Sequence, residues 1–164
     1  MSRGELLILD ACVLIDFVDA DPSILAIVSK HVGTIHVASP VFEEVDQLDP
    51  STAQSLGIDV VEPELELLSE AVRTRGRISV QDRLCFLLAK SKGWTCVSND
   101  GHLRRVCVAE KVSVLWGLEM MGRAVEAGAL PGDAAVAVAR KIQESNPYIT
   151  DDIVAAFATK FVPG

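Results

Sequence analysis

Leu6-Leu7-Ile8-Leu9-Asp10-Ala11-Cys12-Val13-Leu14-Ile15 is the stretch that decides the fold. Four aliphatic residues in a row stop at a carboxylate, and a second apolar run begins three residues later. An unbroken apolar run of this length suits a strand buried on both faces, as in a parallel sheet held between helices. Asp10 then falls just past the carboxyl end of the first strand. In open parallel sheets that is the edge along which the functional crevice runs.

Working outward, the same reading recurs along the chain. Short runs rich in β-branched residues, bounded by turn formers, predict strands near residues 5–9, 34–38, 58–61, 94–97 and 112–115. Helical spacing predicts helices near residues 13–29, 40–48, 63–75, 80–91, 119–127, 134–143 and 150–161. Ser39 and Pro40 serve as cap and first helical residue of the 40–48 segment, and Thr150 caps the last helix. Alternating strands and helices give an α/β domain with a mostly parallel five-stranded sheet and helices on both faces. Residues 128–133 form a turn, and residues 129–164 read as a C-terminal helical extension packed on a single domain spanning 1–164.

The chain has 164 residues, 49% of them hydrophobic and 23% charged, enough to bury a core without disulfides. No apolar run reaches the ~20 residues of a membrane span. The short run after Met1-Ser2-Arg3 lacks the pattern of a signal peptide. A cytoplasmic protein with no membrane partner is expected. Cys12, Cys85, Cys96 and Cys107 show no zinc-ligand spacing and read as reduced, buried core residues. Net charge is −8, which excludes a generally basic nucleic-acid-binding surface, yet nine of the 15 basic residues lie between Arg73 and Lys111. Such a cluster is ordinarily a solvated helix face. It would also serve as a basic rim that holds phosphates beside an acidic pocket.

The acids near strand ends supply that pocket. Asp10 ends the first strand and Asp100 follows the fourth. Glu43 and Glu44 follow the second, and Asp82 opens the helix that leads to the fourth. Each has a structural explanation: Asp10 as a helix cap, Asp82 as the return half of a capping box with Ser79, Glu43 and Glu44 at a helix N-terminus, and Asp100 before Gly101 as turn chemistry. Convergent carboxylates repel one another unless a cation neutralises them. Oxygen ligands without His or Cys favour Mg²⁺ or Mn²⁺ over zinc. Metal-assisted hydrolysis of a phosphodiester follows as the expected chemistry.

At this point four segments together resemble the PIN domain family. The first is Leu6-Leu7-Ile8-Leu9-Asp10-Ala11-Cys12-Val13-Leu14-Ile15, an apolar strand ending in Asp with a small thiol residue two positions on. The second is Ala38-Ser39-Pro40-Val41-Phe42-Glu43-Glu44-Val45, whose register selects Glu44 over Glu43. The third is Ile78-Ser79-Val80-Gln81-Asp82 followed by Leu87-Leu88-Ala89, and the fourth is Thr95-Cys96-Val97-Ser98-Asn99-Asp100. The resemblance covers roughly residues 5 to 128. It implies a three-layer α/β/α sandwich and an endoribonuclease using Mg²⁺ or Mn²⁺. Asp10, Asp82 and Asp100 would hold metal, with Glu44 as a fourth catalytic acid, and Arg77, Arg83, Arg104 and Arg105 would contact RNA. Many bacterial members are VapC-type toxins held inactive by a small antitoxin, so an antitoxin is an expected partner. Cys12 stands where Ser or Thr is commoner, and the region after Gly128 exceeds the compact toxin pattern.

Two other classes compete. A PIN-like fold can act as a non-catalytic scaffold or binding module. A receiver-type phosphoacceptor would need an adjacent acidic pair after the first strand and an acceptor Asp after the third, where Ile58-Asp59-Val60-Val61 leads instead to Glu62-Pro63. A dinucleotide site would need a Gly-rich loop after the first strand, and none is present. The apolar content of the helices near 13–29 and 63–75 makes a homodimer plausible.

Overall fold

A computed structural model of the chain describes residues 4–74 and 76–162. Five strands form one all-parallel sheet: β1 (Glu5–Leu9), β2 (Gly33–Ala38), β3 (Ile58–Val61), β4 (Thr95–Val97) and β5 (Val114–Leu115). Their order is β3-β2-β1-β4-β5. β1 therefore lies in the centre, paired with β2 on one side and β4 on the other. This explains the unbroken aliphatic run, because Leu7, Ile8 and Leu9 are all fully buried. The chain leaves β1 in one direction to build β2 and β3, then returns past it to build β4 and β5. The switch point thus falls between β1 and β4.

Ten helices occur among the described residues, and the fold is the expected three-layer α/β/α sandwich. Helices α1 (Ala11–Ala20) and α2 (Ser23–His31) pack with α8 (Gly117–Glu126) and α9 (Gly132–Ser145). α10 (Asp151–Phe161) lies against α8 and α9. On the opposite layer α5 (Leu65–Arg73), α6 (Val80–Lys92) and α7 (Gly101–Ala109) pack side by side. The short α3 (Ser39–Phe42) and α4 (Pro50–Ser55) connect β2 to β3. The core joins both layers through Leu14, Phe17 and Leu25 on one side and Leu84, Leu88 and Leu103 on the other.

Several boundaries differ from the sequence reading. The single helix predicted near 13–29 is two, broken at Asp21 and Pro22. Asp21 accepts hydrogen bonds through Oδ1 from the Ser23 amide and hydroxyl, a local turn that competes with the helix. The helix predicted over 40–48 ends at Phe42, and the apolar residues Val45 and Leu48 are buried from turns instead. Ser39 is its first residue rather than its cap, which is Ala38. Helices α4 and α7 form where the sequence reading places no helix. The predicted 63–75 helix runs from Leu65 to Arg73, and its Arg75 end lies outside the described residues, as do Met1, Ser2 and Arg3. Trp94 precedes β4 rather than opening it, and β5 is shorter than expected. Cys85, Cys96 and Cys107 are buried as predicted, but Cys12 is exposed, because the first turn of α1 points it outward.

The two helical segments read as over-apolar differ in outcome. Val13, Leu14, Phe17, Ile24, Leu25 and Val28 turn inward, whereas Leu65 and Val72 on α5 stay exposed. Among the described residues no helix is long and apolar enough to cross a membrane.

The approach of β1 to β2 depends on Gly33, which lies opposite Glu5 in the ladder. A Cβ there would overlap the Glu5 carbonyl oxygen, part of a fixed backbone. Gly33→Ala should therefore cost about 3 kcal/mol or more, above the usual range for a surface change. Urea unfolding of the purified variant checks this. A midpoint within error of the parent would show that the strands separate without penalty.

Candidate functional site

Asp10 follows the last residue of β1 and its backbone N–H donates to the Val97 carbonyl at 3.3 Å, carrying the β1–β4 pairing one step past the strand. Its extended backbone makes it the N-cap of α1, with Oδ1 accepting from the Val13 N–H at 2.8 Å. The other carboxylate oxygen, Oδ2, accepts from the Ser98 hydroxyl at 2.5 Å. Ser98 stands directly after β4 and is fully buried. Its Oγ also accepts from the Asp100 N–H at 3.0 Å. Asp100 in turn caps α7, with Oδ1 accepting from the Leu103 N–H at 2.9 Å. A chain of hydrogen bonds thus runs from the start of α7 through Ser98 to Asp10, across the switch point of the sheet.

Asp82 reaches the same end of the sheet from the N-terminus of α6. Ser79 caps that helix and accepts from the Asp82 N–H at 3.0 Å, so the capping reading of Ser79 is correct. The Asp82 side chain is half-buried. Glu44 lies in the turn after α3 and is exposed, like its neighbour Glu43. It is Glu44 whose charge acts on Asp82.

Asp10 and Asp82 respond to the acids around them. Burial pushes the Asp10 carboxyl up to about 6; the hydrogen bonds from Ser98 and Val13 oppose this, and the charges of Asp82 and Asp100 add to it. Burial raises Asp82 as well, with Asp100 and Glu44 pushing in the same direction. Although the Cys12 side chain reaches the surface, the atoms packed around it partly desolvate its thiol, and this together with the charges of Asp10, Asp82, Asp16 and Asp100 pushes it up to about 11. It is therefore a protonated thiol at neutral pH, unsuited to be a nucleophile. The donor set at this end of the sheet is carboxylate oxygen. Among the described residues, no three Asp, Glu, His or Cys side chains stand close enough together to hold a metal ion as they are placed.

The basic residues separate into two kinds. Lys90 pairs with Glu110 and Lys92 with Glu64 on exposed faces, which is the solvated-face arrangement. Arg104 is built into the crevice: its Nη1 donates to the Ser98 carbonyl at 3.0 Å and its guanidinium lies 3.5 Å from the ring centre of Trp116. Arg83 follows Asp82 on α6, and Arg77 is exposed in the segment leading to it. Arg105 contacts His102 Nδ1 at 2.7 Å on the outer side of α7.

Three participants were missed as site residues in the sequence. Ser98 was quoted only as part of a motif, although a hydroxyl two residues before Asp100 and one after a strand is the signal. Trp116 also follows a strand end, at β5. Asp16 lies two turns along α1 from Asp10, and its Oδ2 accepts from Asn146 Nδ2 at 2.9 Å, so the C-terminal extension touches the helix that Asp10 caps. Comparison with protein-family models and with curated proteins finds no match to this chain.

The Asp10 shift makes a stability prediction. Below the ordinary value of 3.8 the carboxyl is protonated folded and unfolded, and contributes nothing to the pH dependence. Above about 6 it is ionised in both states, and the folded state carries the full cost of the buried charge. That cost is about 3 kcal/mol, developing as pH rises between these values. In EDTA, Asp10→Asn should thus unfold at higher urea than the parent at pH 7.5, and the gap should close by pH 4. An equal gap at both pH values would mean that Asp10 is not strained by its burial.

Proposed function

We propose that the chain is a divalent-metal-dependent endoribonuclease, acting at the crevice between β1 and β4. The observation that carries this reading is the buried Asp10 carboxylate, held by Ser98 at the switch point while the charges of Asp82 and Asp100 press upon it. Asp82 and Asp100 each serve the start of a helix of their own, yet at this end of the sheet their charges also fall on the buried Asp10. The strain is what a cation would relieve, and oxygen-only donors fit Mg²⁺ or Mn²⁺. Asp10, Asp82 and Asp100 are the residues that would hold it, drawn closer together than they stand without it. When bound, the ion would supply positive charge against the phosphodiester and lower the pKa of water.

The protein's own groups have distinct tasks in this reading. Ser98 fixes the rotamer of Asp10 through Oδ2 and leaves that oxygen a fixed direction. Glu44, exposed at the rim, orients the attacking water. Arg104 and Arg83 flank the acids, and with Arg77 and Arg105 they bind backbone phosphates and set the register of the strand. Hydrolysis then adds water to phosphorus and breaks the bond to the leaving ribose oxygen. The sequence resemblance to PIN toxins extends the reading to a small antitoxin covering the crevice.

Asp10→Asn, Asp82→Asn and Asp100→Asn should each lower cleavage of a labelled single-stranded RNA in Mn²⁺ by roughly 10²–10³-fold. Excess EDTA should abolish cleavage by the parent. Replacing Arg83 or Arg77 should weaken binding and flatten its salt dependence instead. Cleavage persisting in the Asn variants or in EDTA would remove this acidic crevice as the catalytic site, and a non-catalytic binding module would then be the better account.

A further inference from the structure

Beside the acidic crevice, a groove of about 660 Å³ opens between α8 and α10. Asn99 and Trp116 line its end nearest the crevice, and Tyr148, Ile149, Ile153 and Phe157 from the C-terminal extension line the rest. Its volume is that of a small-ligand pocket. We propose that this groove is a nucleobase subsite, in which Trp116 stacks an unpaired base of single-stranded RNA next to the bond being cleaved. The proposal rests on the ribonuclease reading for its biological role.

Position supports it first. Ser98 N–H donates to the Leu115 carbonyl at 3.0 Å, so Trp116 leaves β5 beside the strand end that carries Ser98. Asp10, Ser98 and Trp116 follow three adjacent strands, which puts the Trp116 backbone about 10 Å, two strand spacings, from that of Asp10. Asn99, the residue between Ser98 and Asp100, forms the wall shared by crevice and groove. Its Oδ1 accepts from the Gly117 N–H at 3.0 Å, which turns its amide toward the groove mouth.

Chemistry selects a base over a phosphate or a charged peptide. The charged groups around the groove have partners within the protein: Arg123 pairs with Glu5 at 2.7 Å, Lys160 with Glu126 at 3.6 Å, and Glu119 accepts from the Trp116 backbone N–H at 2.9 Å. The interior therefore offers aromatic and aliphatic surface with one neutral amide. Positive charge sits on the crevice side, where the Arg104 guanidinium lies over the indole at 3.5 Å from its centre. Backbone phosphate at Arg104 and base in the groove is the arrangement this polarity fits. A stacked guanidinium also holds the indole rigid, so little rotamer freedom is lost when a base lands on it. Trp116 is 45% exposed and Tyr148 84% exposed, so with Arg104 on one side of the indole the groove still offers aromatic surface to a ligand.

The chain has only two tryptophans, Trp94 and Trp116, and Trp94 is stacked on His36 at 3.9 Å. The test titrates the full-length protein in EDTA, where no cleavage occurs, with adenosine and uridine monophosphates and with a single-stranded RNA heptamer. Fluorescence should be quenched in the parent and stay flat in Trp116→Phe, where only Trp94 emits. By anisotropy, Trp116→Ala should bind the heptamer about tenfold or more weakly, and Trp116→Phe should recover most of that loss. In Mn²⁺ the Ala variant should raise KM more than it lowers kcat. If the heptamer binds without quenching Trp116, the base subsite is overturned while the ribonuclease reading stands. If nucleotides quench Trp116 yet no metal-dependent cleavage occurs, the subsite stands and the ribonuclease reading falls. If an amphipathic helical peptide shifts Trp116 emission and nucleotides do not, the groove docks protein and the proposal is wrong.

Discussion

The hydrogen bond from Ser98 Oγ to Asp10 Oδ2 is the contact on which the rest of the crevice depends. It joins the ends of the two strands between which the sheet reverses direction. Its two partners are two of the three buried polar residues among those described, and a buried carboxylate is tolerable only when its oxygens are satisfied. One oxygen is taken by the first turn of α1 and the other by Ser98, so the side chain has a single available orientation. Everything placed around it, Asp82 from α6, Asp100 from α7 and Arg104 through the Ser98 carbonyl, takes its position relative to that fixed group.

Structural and functional readings of these acids turn out not to be rivals. Asp10 and Asp100 are helix caps, and Asp82 lies in a capped first turn. A helix N-terminus favours an acid there for reasons unrelated to activity. Because α1, α6 and α7 all begin at the same end of a parallel sheet, their N-terminal acids are brought together by topology alone. Three caps on three helices scattered around the molecule would give no charge accumulation. Here capping contributes hydrogen bonds while convergence raises the Asp10 and Asp82 carboxyls, and the two effects oppose each other at Asp10.

The strands were legible because burial on both faces leaves few residue types possible: β1, β2 and β3 fall within a residue of their expected places. The acids were legible because strand ends are conspicuous. Two helices were not. α4 has the sequence Pro50-Ser51-Thr52-Ala53-Gln54-Ser55, with one buried residue and no apolar period, so only its Asp49 cap announces it. α7 begins at Gly101, and Asp100-Gly101 is equally the signature of a turn. The 40–48 segment failed in the opposite way, since its apolar spacing is satisfied by turns that bury Val45 and Leu48. Ser98 carried a local signal, a hydroxyl directly after a strand and two residues before Asp100, whereas Trp116 was invisible as a site residue because its importance lies in what the neighbouring strand brings beside it.

The C-terminal extension changes what kind of surface the crevice belongs to. Without α9 and α10, Asp16 would lose its Asn146 partner and the Trp116 side of α8 would be an open face. With them, α9 packs on α1, the helix that Asp10 caps, and α10 closes a walled groove one strand away from Ser98. The rigid and the adjustable parts are therefore separate. Strand ends and helix caps fix the acids, while the walls of the groove come from helices outside the sheet whose side chains can vary without disturbing the carboxylate geometry. In the ribonuclease proposed above, that division would let one set of residues govern chemistry and another govern which chain is held against it, with the extension serving the second task.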